Sequence, residues 1–328
     1  MKFKRGLIVA GLLLAFVNTT GAQTYPDRPI RLIVSIAAGS VTDVISRAAA
    51  QDIAPRLGQP LIIENKGGAS GILGGQACAQ AKPDGYTFCV IYHSTMSYNP
   101  LLFDSLPYNP DTDFVPVARL FFLNEGLFVS KAVGVKSVAE LKSLAQSKPE
   151  SLNFATLGDG SFPDLFRQWL NNQWQTRIVG VPYKGGGPAA QALSANEVQV
   201  TQFGIGNFQG ALSAGLVQIL AVSAAKRSSK MPDVPTLAEL GLHYEGRGWW
   251  GLAAPKGTPQ SAIDRMNTEF VKTISESKFQ EFLEQQFVVP APTSPTEFAA
   301  FLKEDRKAAE NLVKLAKTPR TQYNPETK

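Results

Sequence analysis

The sequence is poor in the residues from which most catalytic and metal centres are built. Its 328 residues include two cysteines, two histidines and four methionines. The histidines, His93 and His243, are far apart in the chain, and no HExxH, CxxC or EF-hand pattern gathers metal ligands. No GxxxxGK[ST] sequence, and no GxGxxG after the first strand, is present to cradle a nucleotide. The G-x-S-x-G elbow that exposes a nucleophilic serine is missing too. Beyond the first residues no apolar stretch is long enough to span a bilayer. Metal, nucleotide and integral-membrane chemistry therefore start without support, and no cofactor is expected.

The opening residues read as a targeting segment. Lys2, Lys4 and Arg5 precede an apolar run from Leu7 to Val17, too short to cross a bilayer, and Thr20-Gly21-Ala22 ends it with small residues. Residues 1–22 are therefore expected to be a signal peptide cut after Ala22. No cysteine follows that would take a lipid, so the remainder should be soluble in the periplasm. Removing Lys2, Lys4 and Arg5 from the 32 basic residues leaves 29 against 27 acidic ones, so the formal charge falls from +5 to +2. That leaves no electrostatic footprint for nucleic acid. About 300 residues with 44% hydrophobic content can bury two medium cores. Cys78 is placed on a helix and Cys89 on the strand after it; two buried thiols are expected rather than a bridge.

What the sequence does have is a recurrent strand, small-residue loop and helix start. Ile30 to Val34 is a short run rich in Ile and Val, as in a buried strand. Ala37-Ala38-Gly39-Ser40 follows, then Thr42-Asp43 and an apolar stripe at helical spacing. Such a unit puts unpaired N–H groups and the positive end of a helix dipole at the loop, where an anion is the best-suited partner. The alternative is an ordinary connection capped by Ser40, Thr42 or Asp43. The scheme recurs. Leu61-Ile62-Ile63 leads into the loop Glu64 to Gly71 and a helix from Ile72 to Ala81. Tyr86 to Tyr92 is a strand before the polar segment His93-Ser94-Thr95. Leu152 to Thr156 precedes Gly158-Asp159-Gly160-Ser161, and Ile178 to Pro182 precedes Tyr183 to Pro188. The capping box Ser137-Val138-Ala139-Glu140 starts another helix. Two amphipathic helices, Pro259 to Glu276 and Thr296 to Lys317, end the chain before a frayed tail. The pattern implies α/β lobes with parallel sheets, whose post-strand loops gather at one edge.

Several stretches, in order, resemble the Bug-type receptors, the extracytoplasmic solute-binding proteins of tripartite tricarboxylate transporters. Ala38-Gly39-Ser40-Val41-Thr42-Asp43 is similar to the family's AGG-x-TD loop, and Glu64 to Ala69 to its ENRPGA loop. Pro83-Asp84-Gly85-Tyr86-Thr87, Pro182-Tyr183-Lys184-Gly185 and Pro232 to Glu239 match its PDGYT, PYKG and PDVPTLAE stretches. Trp250-Gly251-Leu252 and Ala254 to Pro259 are similar to its WxGLxAPxGTP. The chain departs from the pattern at Ser35-Ile36, at Asp164 in place of a histidine, and at Phe162 inside the second-lobe loop.

The resemblance implies a two-lobed periplasmic-binding-protein fold of type II, each lobe a mostly parallel sheet flanked by helices. Lobe 1 is expected to comprise 23–123 plus 247–328, and lobe 2 to comprise 124–246. It implies a receptor that closes on a small carboxylate and hands it to membrane transporter subunits, without catalysis; nothing in the sequence suggests an obligate interface, so a monomer is expected. The ligand-binding residues implied by the resemblance are Ala37, Ala38, Gly39, Ser40, Thr42 and Asp43 in the first loop, and Gly158, Asp159, Gly160, Ser161, Tyr183, Lys184 and Gly185 in lobe 2. Gly68, Ala69 and Ser94 on neighbouring post-strand segments, and Phe162 beside the lobe 2 loop, are further candidates. Lys184 is either a ligand partner or a solvated lysine, and Phe162, Phe203 and Phe208 either line an apolar pocket or fill the core. Two other classes stay open: a secreted hydrolase using Ser94 or Ser161, and a sensor subunit that reports ligand to a membrane kinase.

Overall fold

The apolar run Ile30–Val34 forms β1, with Ile30, Leu32, Ile33 and Val34 fully buried. Near-continuous burial is what a strand covered on both faces requires. The structure, a computed structural model, describes residues 25–323 except 225, 229 and 245. The segment read as a leader, 1–22, lies outside the described residues.

From β1 the chain enters α1 (Val41–Leu57), which ends at Gly58 in the left-handed conformation. It continues through β2 (Leu61–Asn65), α2 (Ile72–Ala79), β3 (Thr87–Tyr92), a π-helical turn over Ser94–Tyr98, and α3 (Asn99–Leu102). β4 (Phe114–Leu123) and β5 (Glu125–Ser130) are separated by Asn124 alone yet lie in different sheets. Then follow α4 (Val138–Ser147), β6 (Asn153–Thr156), α5 (Phe162–Trp174), β7 (Val179–Pro182) and α6 (Gly186–Ser194). β8 (Val200–Gly204), α7 (Gln209–Ser213) and β9 (Val217–Ser223) complete that half. The chain returns as β10 (Trp249–Pro255) and closes with α8 (Gln260–Ser275), α9 (Ser277–Gln285), β11 (Val288–Pro290) and α10 (Pro295–Ala316).

The two sheets repeat one plan. Their strand orders are β11-β4-β10-β3-β1-β2 and β7-β6-β8-β5-β9. In each, three strands pair in parallel: β2-β1-β3 and β7-β6-β8. In each, the strand that arrives from the other sheet, β10 or β5, pairs antiparallel on both sides. The sheets are thus mixed, less parallel than the sequence suggested. A strand entering from elsewhere needs no helical crossover within the sheet, so nothing forces it parallel.

Three other expectations are corrected. Cys78 in α2 and Cys89 in β3 form a disulfide, with Cα atoms 6.1 Å apart. α2 folds back beside the strand it feeds, a proximity that a separation of 11 residues cannot reveal. α9 was not anticipated between the two C-terminal helices. The tail is not frayed as far as it is described: Thr321 N–H donates to Leu102 O at 2.8 Å, and Thr318 Oγ1 to Gln168 Oε1 at 2.8 Å. Among the described residues no helix is long and apolar enough to cross a membrane.

Candidate functional site

The loop between β1 and α1 is held from below by Asp43. Its carboxylate accepts from Gly39 N–H (2.9 Å), Arg47 Nε (3.0 Å) and Asn65 Nδ2 (2.8 Å). Gly39 takes φ of 79°, the left-handed region that suits glycine. Burial alone would raise the Asp43 carboxyl, but the hydrogen bonds from Arg47, Gly39 and Asn65 outweigh it and hold the group below the usual carboxylate range.

The other lobe repeats the device. Asp164 accepts from Gly160 N–H (3.0 Å), Arg167 Nε (2.8 Å) and Gln168 Nε2 (2.7 Å), and Gly160 has φ of 69°. Gly39-Ser40-Val41-Thr42-Asp43 and Gly160-Ser161-Phe162-Pro163-Asp164 share the spacing G-S-x-x-D. That spacing is readable in the sequence, but what it positions is not. The two serines differ in use. Ser161 Oγ accepts from Leu157 N–H at 3.1 Å, whereas Ser40 Oγ is buried without a partner.

The lobes meet along a seam. Ala37 N–H donates to Lys184 O (3.0 Å), Val41 N–H to Asn207 Oδ1 (2.8 Å), Ser70 N–H to Leu157 O (3.0 Å) and Ser70 Oγ to Asp159 O (3.0 Å). A Cβ on Gly185 would lie 2.5 Å from Ser40 Oγ, so glycine there lets the two backbones close together.

Between the lobes lies a cavity of about 40 Å³. The N-terminal residues of α1 (Val41 and Thr42, with the cap Ser40), of α5 (Phe162 and Pro163) and of α6 (Gly186) reach it. The remaining wall is Tyr92, His93, Trp250, Phe203, Asn207, Glu125 and aliphatic side chains. No lysine or arginine lines it. Trp250 Nε1, like Ser40 Oγ, is buried without a partner. Two unpaired donors at one cavity are what an anionic or carbonyl oxygen would satisfy, since buried polar groups otherwise find partners. A larger groove of about 610 Å³ runs beside Asn124. Its lysines and arginine, Lys226, Arg227 and Lys230, are offset by Glu281 and Glu284.

Glu125 is the acid in the cavity wall, 5% exposed, accepting from Gln202 Nε2 at 2.6 Å. Burial pushes its carboxyl up to about 8. His93 is 4% exposed, and burial lowers its imidazole to about 3, so it is neutral at physiological pH. Ser94 Oγ lies 3.3 Å from His93 Nδ1, but Ser94 is fully buried and outside the cavity wall. Neither Glu125 nor Trp250 was picked out as a site residue from the sequence. The available signal for Glu125 was one acid flanked by the apolar runs Leu120–Leu123 and Leu127–Val129.

Of the residues singled out from sequence, Ser40, Thr42 and Phe162 line the cavity. Ala37, Lys184 and Gly185 lie on the seam, as do Gly158, whose nearest neighbours are Ala69 and Ser70, and Asp159. Ala38 and Gly39 are exposed at its rim, and Asp43, Gly160 and Ser161 brace the loops from within. Gly68 faces Leu73 of its own lobe, and Tyr183 is half-buried beside β7. Phe208 stacks on Phe128 in the core at 4.3 Å, whereas Phe203 reaches the cavity.

Comparison with known proteins gives a consistent picture. The family model described as "Tripartite tricarboxylate transporter family receptor" matches residues 45–317. A UPF0065 protein of Bordetella bronchiseptica is 32% identical over 317 residues, covering 95% of this chain and 93% of that protein. The structure superimposes on MatC from Rhodopseudomonas palustris with bound malate at a TM-score of 0.83, with 34% identity over 88% of this chain and 100% of that one. It superimposes on an R. palustris protein solved with adipate at a TM-score of 0.86, with 29% identity over 90% of this chain and 100% of that one.

Proposed function

Because the chain belongs to the tripartite tricarboxylate transporter receptor family, we propose that it captures a small organic carboxylate between its lobes and delivers it to a membrane transporter. The observation that carries this reading is the pair of unpartnered donors, Ser40 Oγ and Trp250 Nε1, at a cavity faced by the N-terminus of α1. The malate and adipate bound by the two R. palustris proteins support the ligand class. The ligand carboxylate sits against Ser40 and Thr42, with the α1 dipole behind it. Ala37, Ala38, Gly39 and Asp43 fix that loop. Phe162 completes the binding surface by contact, Ala69, Gly158, Asp159, Lys184 and Gly185 set how the lobes seat, and Gly160 and Ser161 brace the second-lobe loop; Gly68, Ser94 and Tyr183 lie outside the cavity wall. Lobe 1 takes residues 23–123 and 247–328, and lobe 2 takes 124–246, which agrees with the strand memberships of the two sheets.

In this reading the chain is a monomer of the periplasm, released after a leader ending near Ala22, and it catalyses no reaction. Micromolar affinity needs only about 8 kcal/mol, within reach of a ligand of ~10 heavy atoms. Isothermal titration of the mature chain with C3–C8 mono-, di- and tricarboxylates tests it. Saturable binding of at least one, weakened tenfold or more by a bulky side chain at Ser40, is the expected result. A panel without any binding carboxylate overturns the reading.

A further inference from the structure

The cavity wall offers an anion no cationic side chain. It has no lysine or arginine, and its histidine is neutral. Its one acid, Glu125, makes no ion pair among the described residues and keeps a single hydrogen-bond partner, Gln202. The same wall carries aromatic rings: Tyr92 and Trp250 stack at 4.5 Å, and the Phe162 ring lies 4.8 Å from that of His93. Phe203 adds a further ring to the same wall. A buried carboxylate in a wall that also carries aromatic rings is the acceptor set for an ammonium group, through charge, hydrogen bonds and cation–π attraction. On the opposite account sit Ser40 Oγ, Trp250 Nε1 and the N-terminus of α1, which suit oxygen.

Resting on the reading above, we propose that the preferred ligand is a carboxylate that also carries an ammonium group, the nitrogen received by Glu125 and its rings. A ligand bearing only carboxylates would bring a second negative charge, or require a bound proton, next to a buried acid. An ammonium group supplies the cation that Glu125 lacks and lets it ionise; without one, burial keeps the carboxyl protonated near neutral pH. The chemistry commits to the nitrogen and leaves the carbon skeleton free.

Ligand pairs that exchange only ammonium for hydroxyl isolate this claim: aspartate with malate, glutamate with 2-hydroxyglutarate, and phenylalanine with phenyllactate. Titration of the mature wild-type chain should show at least one amino acid binding tenfold or more tighter than its hydroxy partner. E125Q should erase that preference while weaker carboxylate binding persists. The wild-type comparison stands alone if E125Q does not fold. Hydroxy acids or simple dicarboxylates binding as well as or better than the amino acids would overturn the ammonium assignment and leave the carboxylate receptor intact. If no carboxylate of any kind binds, both fall together.

Discussion

Two buried acids with opposite surroundings set much of the behaviour at the scale of single residues. Asp43 is 2% exposed and accepts three hydrogen bonds, so Asp43→Ala leaves Gly39 N–H and two side-chain donors without their acceptor. A loss of ~2–3 kcal/mol is expected by urea unfolding at pH 7, with weaker binding as Ser40 and Thr42 lose their support. Because the folded carboxyl lies below its ordinary value, that stabilisation is complete above about pH 4 and fades as pH falls through the folded value. The gap between wild type and variant should close in strong acid. Glu125 runs the other way. Its folded carboxyl is raised to about 8, so the unfolded chain releases a proton that the folded chain keeps. Stability is therefore complete below about pH 4 and is lost as pH rises through 8. E125Q should match wild type near pH 4 and exceed it by a few (~2–4) kcal/mol at pH 9, read by denaturant melts of the ligand-free protein. A variant no more stable than wild type at pH 9 would show that Glu125 ionises freely in the fold.

At the scale of elements, the disulfide and the helix starts show how much the sequence discloses. Joining α2 to β3 across 11 residues, the bridge removes about 3 kcal/mol of chain entropy from the unfolded state by the loop-closure relation. Paired Cys78→Ala and Cys89→Ala, or reduction before unfolding, should lower stability by about that amount; no change in melting temperature would mean that the two thiols are not joined. The β-loop-α units were legible because local chemistry writes them: Ile30–Val34 is apolar throughout, and Gly58 stops α1. The ordered loop motifs pointed to the right family. Less legible were features that depend on partners distant in sequence. Cys78 meets Cys89 only through the way α2 packs, and β10 and β5 run antiparallel only because each enters from the other sheet. In the sequence Glu125 is one charge between apolar runs; its partner Gln202 lies 77 residues on, and the lobe seam encloses it only in the fold. Asp43 read as a ligand contact or a cap. Its actual partners, Arg47 and Asn65, make it the brace beneath the loop.

For the whole molecule, the decisive quantity is how closely the two lobes seat. The seam is made largely of backbone groups: Ala37 N–H to Lys184 O, and Ser70 N–H to Leu157 O, each at 3.0 Å. Bonds of this kind form only if no side chain stands between the chains. Gly185 belongs to one lobe, and the nearest atoms to a Cβ placed on it belong to the other: Ser40 Oγ at 2.5 Å, Ala37 Cβ at 3.0 Å and Ala37 N at 3.2 Å. Its backbone is extended (φ 170°), a conformation open to any residue. Gly185→Val should therefore leave each lobe folded, with unfolding free energy within about 1 kcal/mol of wild type, while holding the lobes apart. Ligand would then lose the water-excluded site in which its hydrogen bonds are strongest. Affinity should fall at least tenfold, and the compaction expected in small-angle X-ray scattering when ligand is added to wild type should be absent from the variant. Loss of affinity together with unfolding would place the fault inside one lobe. Unchanged affinity with normal compaction would mean that closure does not run through the Ala37–Lys184 seam, and the ligand would have to be sought elsewhere along the cleft.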